Sequence, residues 1–144
     1  MSTVTILETR LRPRKFDRSM IHLAKTLALK SKVKGKHASI VVDSNGNIES
    51  IGINHHNPKG HHGPKTSIHA ECAALRNIDT EYLNDHVLYV ARSTKSCSGH
   101  CFSKPCDKCM EEILSRRVGR IIYSSGGINE WADHKMTSIR VVYN

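Results

Sequence analysis

Aromatic residues are few in this sequence: two Phe, four Tyr and one Trp make up 5% of its 144 positions. Proteins that grip single-stranded nucleic acid usually stack bases on aromatic side chains, so this scarcity weighs against such a role. No run of about 18 apolar residues occurs, which excludes the reading of a membrane-spanning helix. The first residues lack the basic, apolar and small-residue zones of a secretory signal, and the expected location is the cytoplasm. The five cysteines are an odd number with no secretion signal beside them, a poor fit to a disulfide framework. In that setting a cysteine cluster more often binds metal or does chemistry. Internal repeats and low-complexity linkers are also missing. With 38% apolar and 24% charged residues, the expectation is one globular domain over residues 1–144.

Acidic side chains are in short supply as well, 13 against 22 Lys and Arg, for a formal charge of +9. The imbalance sits almost wholly in residues 1–37, which hold ten basic and two acidic side chains; residues 38–144 hold twelve and eleven. A basic balance points to an anionic partner such as a nucleotide, phosphate or nucleic acid. Residues 1–15 read as a basic lead-in closed by Pro13, with Arg10, Arg12, Arg14 and Lys15 as its cations. In the first helix, Arg18, His22 and Lys25 fall opposite Met20, Ala24 and Leu27, where a charged face is most simply a solvated one.

The apolar spacing of Phe16, Met20, Ala24, Leu27 and Ala28 predicts a helix, with Asp17 and Lys30 placed to suit its dipole. Ala38–Asp43 and Ile48–Ile53 flank the turn signal Ser44-Asn45-Gly46-Asn47 and predict a β-hairpin. A loop of His, Gly, Pro and Lys follows from His55 to Lys65. Ser67 is read as the cap of a helix running to about Ile78. His86–Ala91 predicts a buried strand, Asp107–Arg116 a helix, Arg120–Ser124 a strand and Ser138–Tyr143 a last strand. Strands alternating with helices imply a layered α/β sheet. Gly126-Gly127 suggests a tight connection that makes the last two strands antiparallel, since about ten residues are short for a parallel crossover.

Two short motifs carry the chemistry: His69-Ala70-Glu71 and Pro105-Cys106-Asp107-Lys108-Cys109. Both fall at predicted helix N-termini. Zinc prefers four tetrahedral ligands, and three from the protein leave one position for water. His69, Cys106 and Cys109 supply three, with Cys106 and Cys109 on one helix face at i and i+3. A helix N-terminus favours thiolates, the ligating form. Zinc lowers the pKa of its water towards neutrality, and Glu71 is placed to take up and pass on the proton.

His-x-Glu followed by Pro-Cys-x-x-Cys is the signature of zinc nucleobase deaminases. On these residues the chain resembles the cytidine deaminase-like superfamily over roughly residues 36–124. Lys36-His37-Ala38, Gly52-Ile53-Asn54 and Ser103-Lys104-Pro105-Cys106 look most like deoxycytidylate-type and viral or phage deaminases. The resemblance implies a three-layer α/β/α cytidine deaminase-like fold around a mixed sheet of about five strands. It implies Zn2+ held by His69, Cys106 and Cys109, with Glu71 as the catalytic proton shuttle. It also implies substrate contacts from Asn54, His37 and the Ala70 backbone N–H. The implied reaction is hydrolytic deamination of a cytosine nucleoside or nucleotide, cytidine, deoxycytidine or dCMP, with release of ammonia. The implied assembly is a homo-oligomer.

Three other readings stay open from the residues: a base deaminase on single-stranded DNA or RNA, a deaminase of a purine or pterin-like ring, and a non-catalytic zinc module for assembly. Glu71 argues against the last, since a structural site has no need of the carboxylate. Cys72 reads as a buried core cysteine rather than a fourth ligand. Cys97, His100 and Cys101 could hold a second metal, and Cys97 could replace Cys109 as a ligand. His55, His56, His61 and His62 read as a solvated polar loop. Tyr123 and Trp131 could stack on a base, with core packing the commoner role.

Overall fold

The structure is a computed structural model that describes residues 3–57, 67–93, 103–124 and 136–144. Its framework is a six-stranded sheet built from β1 (Val4–Leu11), β2 (Lys36–Val42), β3 (Ile48–Ile53), β6 (Val87–Ser93), β7 (Arg120–Ser124) and β8 (Met136–Tyr143). The spatial order is β1-β8-β7-β6-β2-β3. Only β6 and β7 run parallel, and every other pair is antiparallel, so the sheet is mixed. A separate two-stranded ladder joins β4 (His55–His56) to β5 (Ser67–Ile68).

Among the described residues three helices cover the sheet: α1 (Lys15–Ala28) on one face, α2 (Ala70–Arg76) and α3 (Asp107–Ser115) on the other. Strand periodicity assigns the faces. Ala38, Ile40 and Val42 pack with Ile21, Ala24 and Ala28 of α1, whereas Val41, Leu88 and Val90 pack with Ala74, Leu75 and Ile113 of α2 and α3. The result is the expected three-layer α/β/α arrangement. At the start of α1, Asp17 is fully buried, accepting from the Arg14 backbone N–H at 3.0 Å and from the Tyr89 hydroxyl at 2.7 Å. The hairpin turn needs Gly46, whose φ is +84°, a conformation that costs a residue bearing a Cβ.

Four expectations change. Val4–Leu11 is not a lead-in but a strand at the sheet edge, paired with β8 along its whole length. Nearly every side chain of it is exposed, and Ile6-Leu7 followed by Glu8-Thr9-Arg10 break the apolar–polar alternation that marks a strand. The sheet therefore has six strands rather than about five. Ser67 does not cap α2: it lies in β5, and the helix opens at His69 and ends at Arg76. His55 and His56 form a short strand, though both remain exposed. The last two strands are antiparallel as expected. Gly126, Gly127 and Trp131 lie outside the described residues. Among the described residues no helix is long and apolar enough to cross a membrane.

Candidate active site and metal centre

The candidate site forms where β6 and β7 end, the position at which open α/β sheets commonly place their ligands. Two helices begin there: His69 is the N-cap of α2 and Cys106 the N-cap of α3. Gly52 lets α2 approach, since a Cβ at that position would lie 2.2 Å from the Ala70 carbonyl oxygen and 2.4 Å from the Ala74 nitrogen. Ser103 fixes the segment leading into α3. Its buried hydroxyl donates to the Val90 carbonyl at 2.8 Å and accepts from the Ser124 N–H at 2.9 Å, while its own N–H donates to the Ser124 carbonyl at 3.0 Å. One serine thereby bridges β6 and β7 three residues before Cys106.

These constraints bring the three predicted ligands together. His69 Nδ1 lies 3.1 Å from Cys109 Sγ and 3.6 Å from Cys106 Sγ, and the three atoms lie within 4.8 Å of one another. Tetrahedral zinc with these donors sets ligand–ligand separations of roughly 3.5–3.8 Å, so the donor set fits the ion in both chemistry and size. Among the described residues this is the one such cluster. Cys72 is not part of it. It packs half-buried against the core with its sulfur 3.9 Å from Cys109 Sγ.

Glu71, in the first turn of α2, is 5% exposed, and its charge acts on both His37 and Cys109. Burial, and next the Glu71 carboxylate, push the Cys109 thiol up. Both causes oppose the thiolate that the helix N-terminus favours. Burial also pushes Cys72 up to about 11. His37 is held below the ordinary histidine value, chiefly by burial, with the Glu71 charge opposing.

Asn54 is 5% exposed and its side chain works within the protein. Its Oδ1 accepts from the His37 N–H at 2.9 Å and its amide donates to the Gly35 carbonyl. Its backbone carbonyl accepts from the Ser31 hydroxyl at 2.8 Å, and the Lys36 ammonium donates to the Ser31 carbonyl. The lysine-rich turn after α1 is thus fastened beside His37, with Lys32 and Lys34 exposed on it. The N-terminal charge divides accordingly: this turn adjoins the site, while Arg10 lies on the edge strand.

Arg92 was not singled out by the sequence. It stands opposite His37 in the β2–β6 register, on the sheet face that carries α2. Its Nε is buried without a hydrogen-bond partner, as is the hydroxyl of fully buried Ser39 on the same face. A cation beside a histidine is invisible to motif reading; only strand register reveals it.

Tyr123 is core, 3% exposed, and donates its phenol to Glu8. Cys97, His100, Cys101, His61 and His62 lie outside the described residues.

The family model for the cytidine and deoxycytidylate deaminase zinc-binding region matches residues 14–125. Cytidine deaminase from Burkholderia pseudomallei superposes with a TM-score of 0.57 at 18% identity, covering 87% of this chain and 90% of that one. The dCMP deaminase of cyanophage S-TIM5 gives a TM-score of 0.57 at 23% identity, covering 80% of this chain and 86% of that one. The same phage enzyme in complex with dCMP and dUMP gives 0.56 at 21% identity, covering 78% and 83%. At these identities the superpositions speak to the fold. Among curated proteins none matches the chain.

Proposed function

Because the chain belongs to the cytidine and deoxycytidylate deaminase zinc-binding family, we propose that it deaminates a cytosine nucleoside or nucleotide, converting the base to uracil and releasing ammonia. The observation that carries this reading is the convergence of His69, Cys106 and Cys109 within 4.8 Å beside a buried Glu71. Zinc, when held by those three residues, supplies a water activated for attack.

Glu71 is the proton carrier. Its carboxylate accepts a proton from the attacking water and delivers it to N3 of the ring, then takes the proton of the new C4 hydroxyl and passes it to the amino group, which departs as ammonia as the carbonyl forms. Its burial at the start of α2 keeps bulk water from competing for that proton. Asn54 holds His37 and the Gly35 turn in place, and the Ala70 N–H and His37 face the base. Residues 1–144 act as one deaminase domain working in the cytoplasm on small pyrimidine substrates, as a homo-oligomer.

The test is a screen of zinc-loaded protein against cytidine, deoxycytidine, their monophosphates, guanine, adenosine and cytosine-containing oligonucleotides, read by ammonia release. Turnover confined to the cytosine nucleosides and monophosphates supports the reading. Turnover of guanine, adenosine or oligonucleotides alone contradicts it.

A further inference from the structure

We infer that Arg92 recognises the phosphate of the substrate, making a cytosine monophosphate rather than the bare nucleoside the preferred ligand. The inference rests on the deaminase reading above and adds a residue that the zinc signature does not contain. Arg92 pairs in register with His37, so both side chains leave the same face of the sheet, the face under α2 where His69 and Glu71 sit. The Arg92 charge is felt at His37, together with those of Glu71 and His69.

Among the described residues two buried polar atoms on this face have no hydrogen-bond partner: Arg92 Nε and Ser39 Oγ, the latter on a residue with no exposure. A buried donor left unpaired is costly, and a guanidinium carries charge as well as donors. A base carbonyl would satisfy a donor and leave the charge. A cytosine base and its sugar are neutral, so the anion such a substrate brings is its phosphate, whose oxygens match the planar fork of arginine. Lys32 and Lys34, exposed on the turn fastened to Asn54, raise the positive potential on the His37 side of the site.

The experiment measures kcat/KM for dCMP and for deoxycytidine in wild type, Arg92→Gln and Arg92→Lys, with zinc content and thermal unfolding as controls for folding. Binding of dUMP and deoxyuridine by calorimetry is measured in parallel. The preference for dCMP over deoxycytidine should fall about 10- to 100-fold in Arg92→Gln, with partial recovery in Arg92→Lys. Wild type should bind dUMP at least about tenfold more tightly than deoxyuridine. An unchanged preference in a folded Arg92→Gln, or equal binding of dUMP and deoxyuridine by wild type, overturns the inference. Arg92-dependent dUMP binding without turnover of any cytosine compound would instead count against the deaminase reading and leave the phosphate site standing.

Discussion

His69 Nδ1 and Cys109 Sγ lie 3.1 Å apart although 40 residues separate them in the chain. The contact exists because α2 and α3 both open at the same end of the sheet. In the metal-free protein the Cys109 thiol is pushed up by burial and by Glu71, so it carries its proton. A divalent ion must expel that proton to bind. Zinc affinity should therefore rise with pH, being greater at about pH 8 than at about pH 6.5 in competition with a chromophoric chelator. Cys109→Ser should abolish stoichiometric binding, and chelation should lower the melting temperature of wild type. Affinity independent of pH would contradict this account of Cys109.

Ser103 offers a second test, away from the ligands. Replacing it by Ala removes a donor to Val90 and an acceptor for the Ser124 N–H, both buried. The expected loss is about 1–3 kcal/mol in denaturant unfolding. Because Ser103 fixes the approach to Cys106, zinc affinity should weaken in the same variant, and Ser103→Thr should restore part of both. A stability loss with zinc affinity intact would show that the serine serves the sheet alone.

The edge strand supplies a pH prediction. The Tyr123 hydroxyl bonded to Glu8 is the main cause holding the Glu8 carboxyl below its ordinary value, and Lys104 at 3.2 Å adds to it. A carboxyl lowered on folding stabilises the protein above its unfolded value, about 4.5, and loses that contribution as pH falls through the folded value. Glu8→Gln should therefore be less stable than wild type near neutral pH, and the gap should close in acid. Urea unfolding of both proteins across that range measures it. A gap that persists below about pH 3 would mean the two side chains are joined by packing rather than charge.

The helices, the hairpin and the ligands were legible because each obeys a local rule. Phe16 to Ala28 follow helical spacing, Asn45-Gly46 marks the turn, and His-x-Glu with Cys-x-x-Cys names donor types at fixed spacing. Val4–Leu11 was not legible, because an edge strand exposed on both faces lacks a buried stripe and its arginines resemble a tail. The start of α2 was missed because Ser67 is a good cap by type, whereas pairing of Ser67 with His56 and the close approach to Gly52 set the boundary. The resemblance reads Asn54 as a substrate contact, and within the protein its side chain also holds the His37 backbone and the Gly35 turn, a role that only the fold reveals. Arg92 gave no signal, and Ser103 stood out only as part of Ser103-Lys104-Pro105-Cys106, since what each does depends on which strands lie side by side.

If Glu71 carries the proton in a zinc-dependent deamination, its amide variant must keep the metal and lose turnover. Glu71→Gln is purified with its zinc content measured, and ammonia release from dCMP and deoxycytidine is followed beside wild type. Zinc content and folding should match wild type while turnover falls by about 100-fold or more, in line with loss of a general acid–base group. Turnover close to wild type in a zinc-replete Glu71→Gln would contradict it.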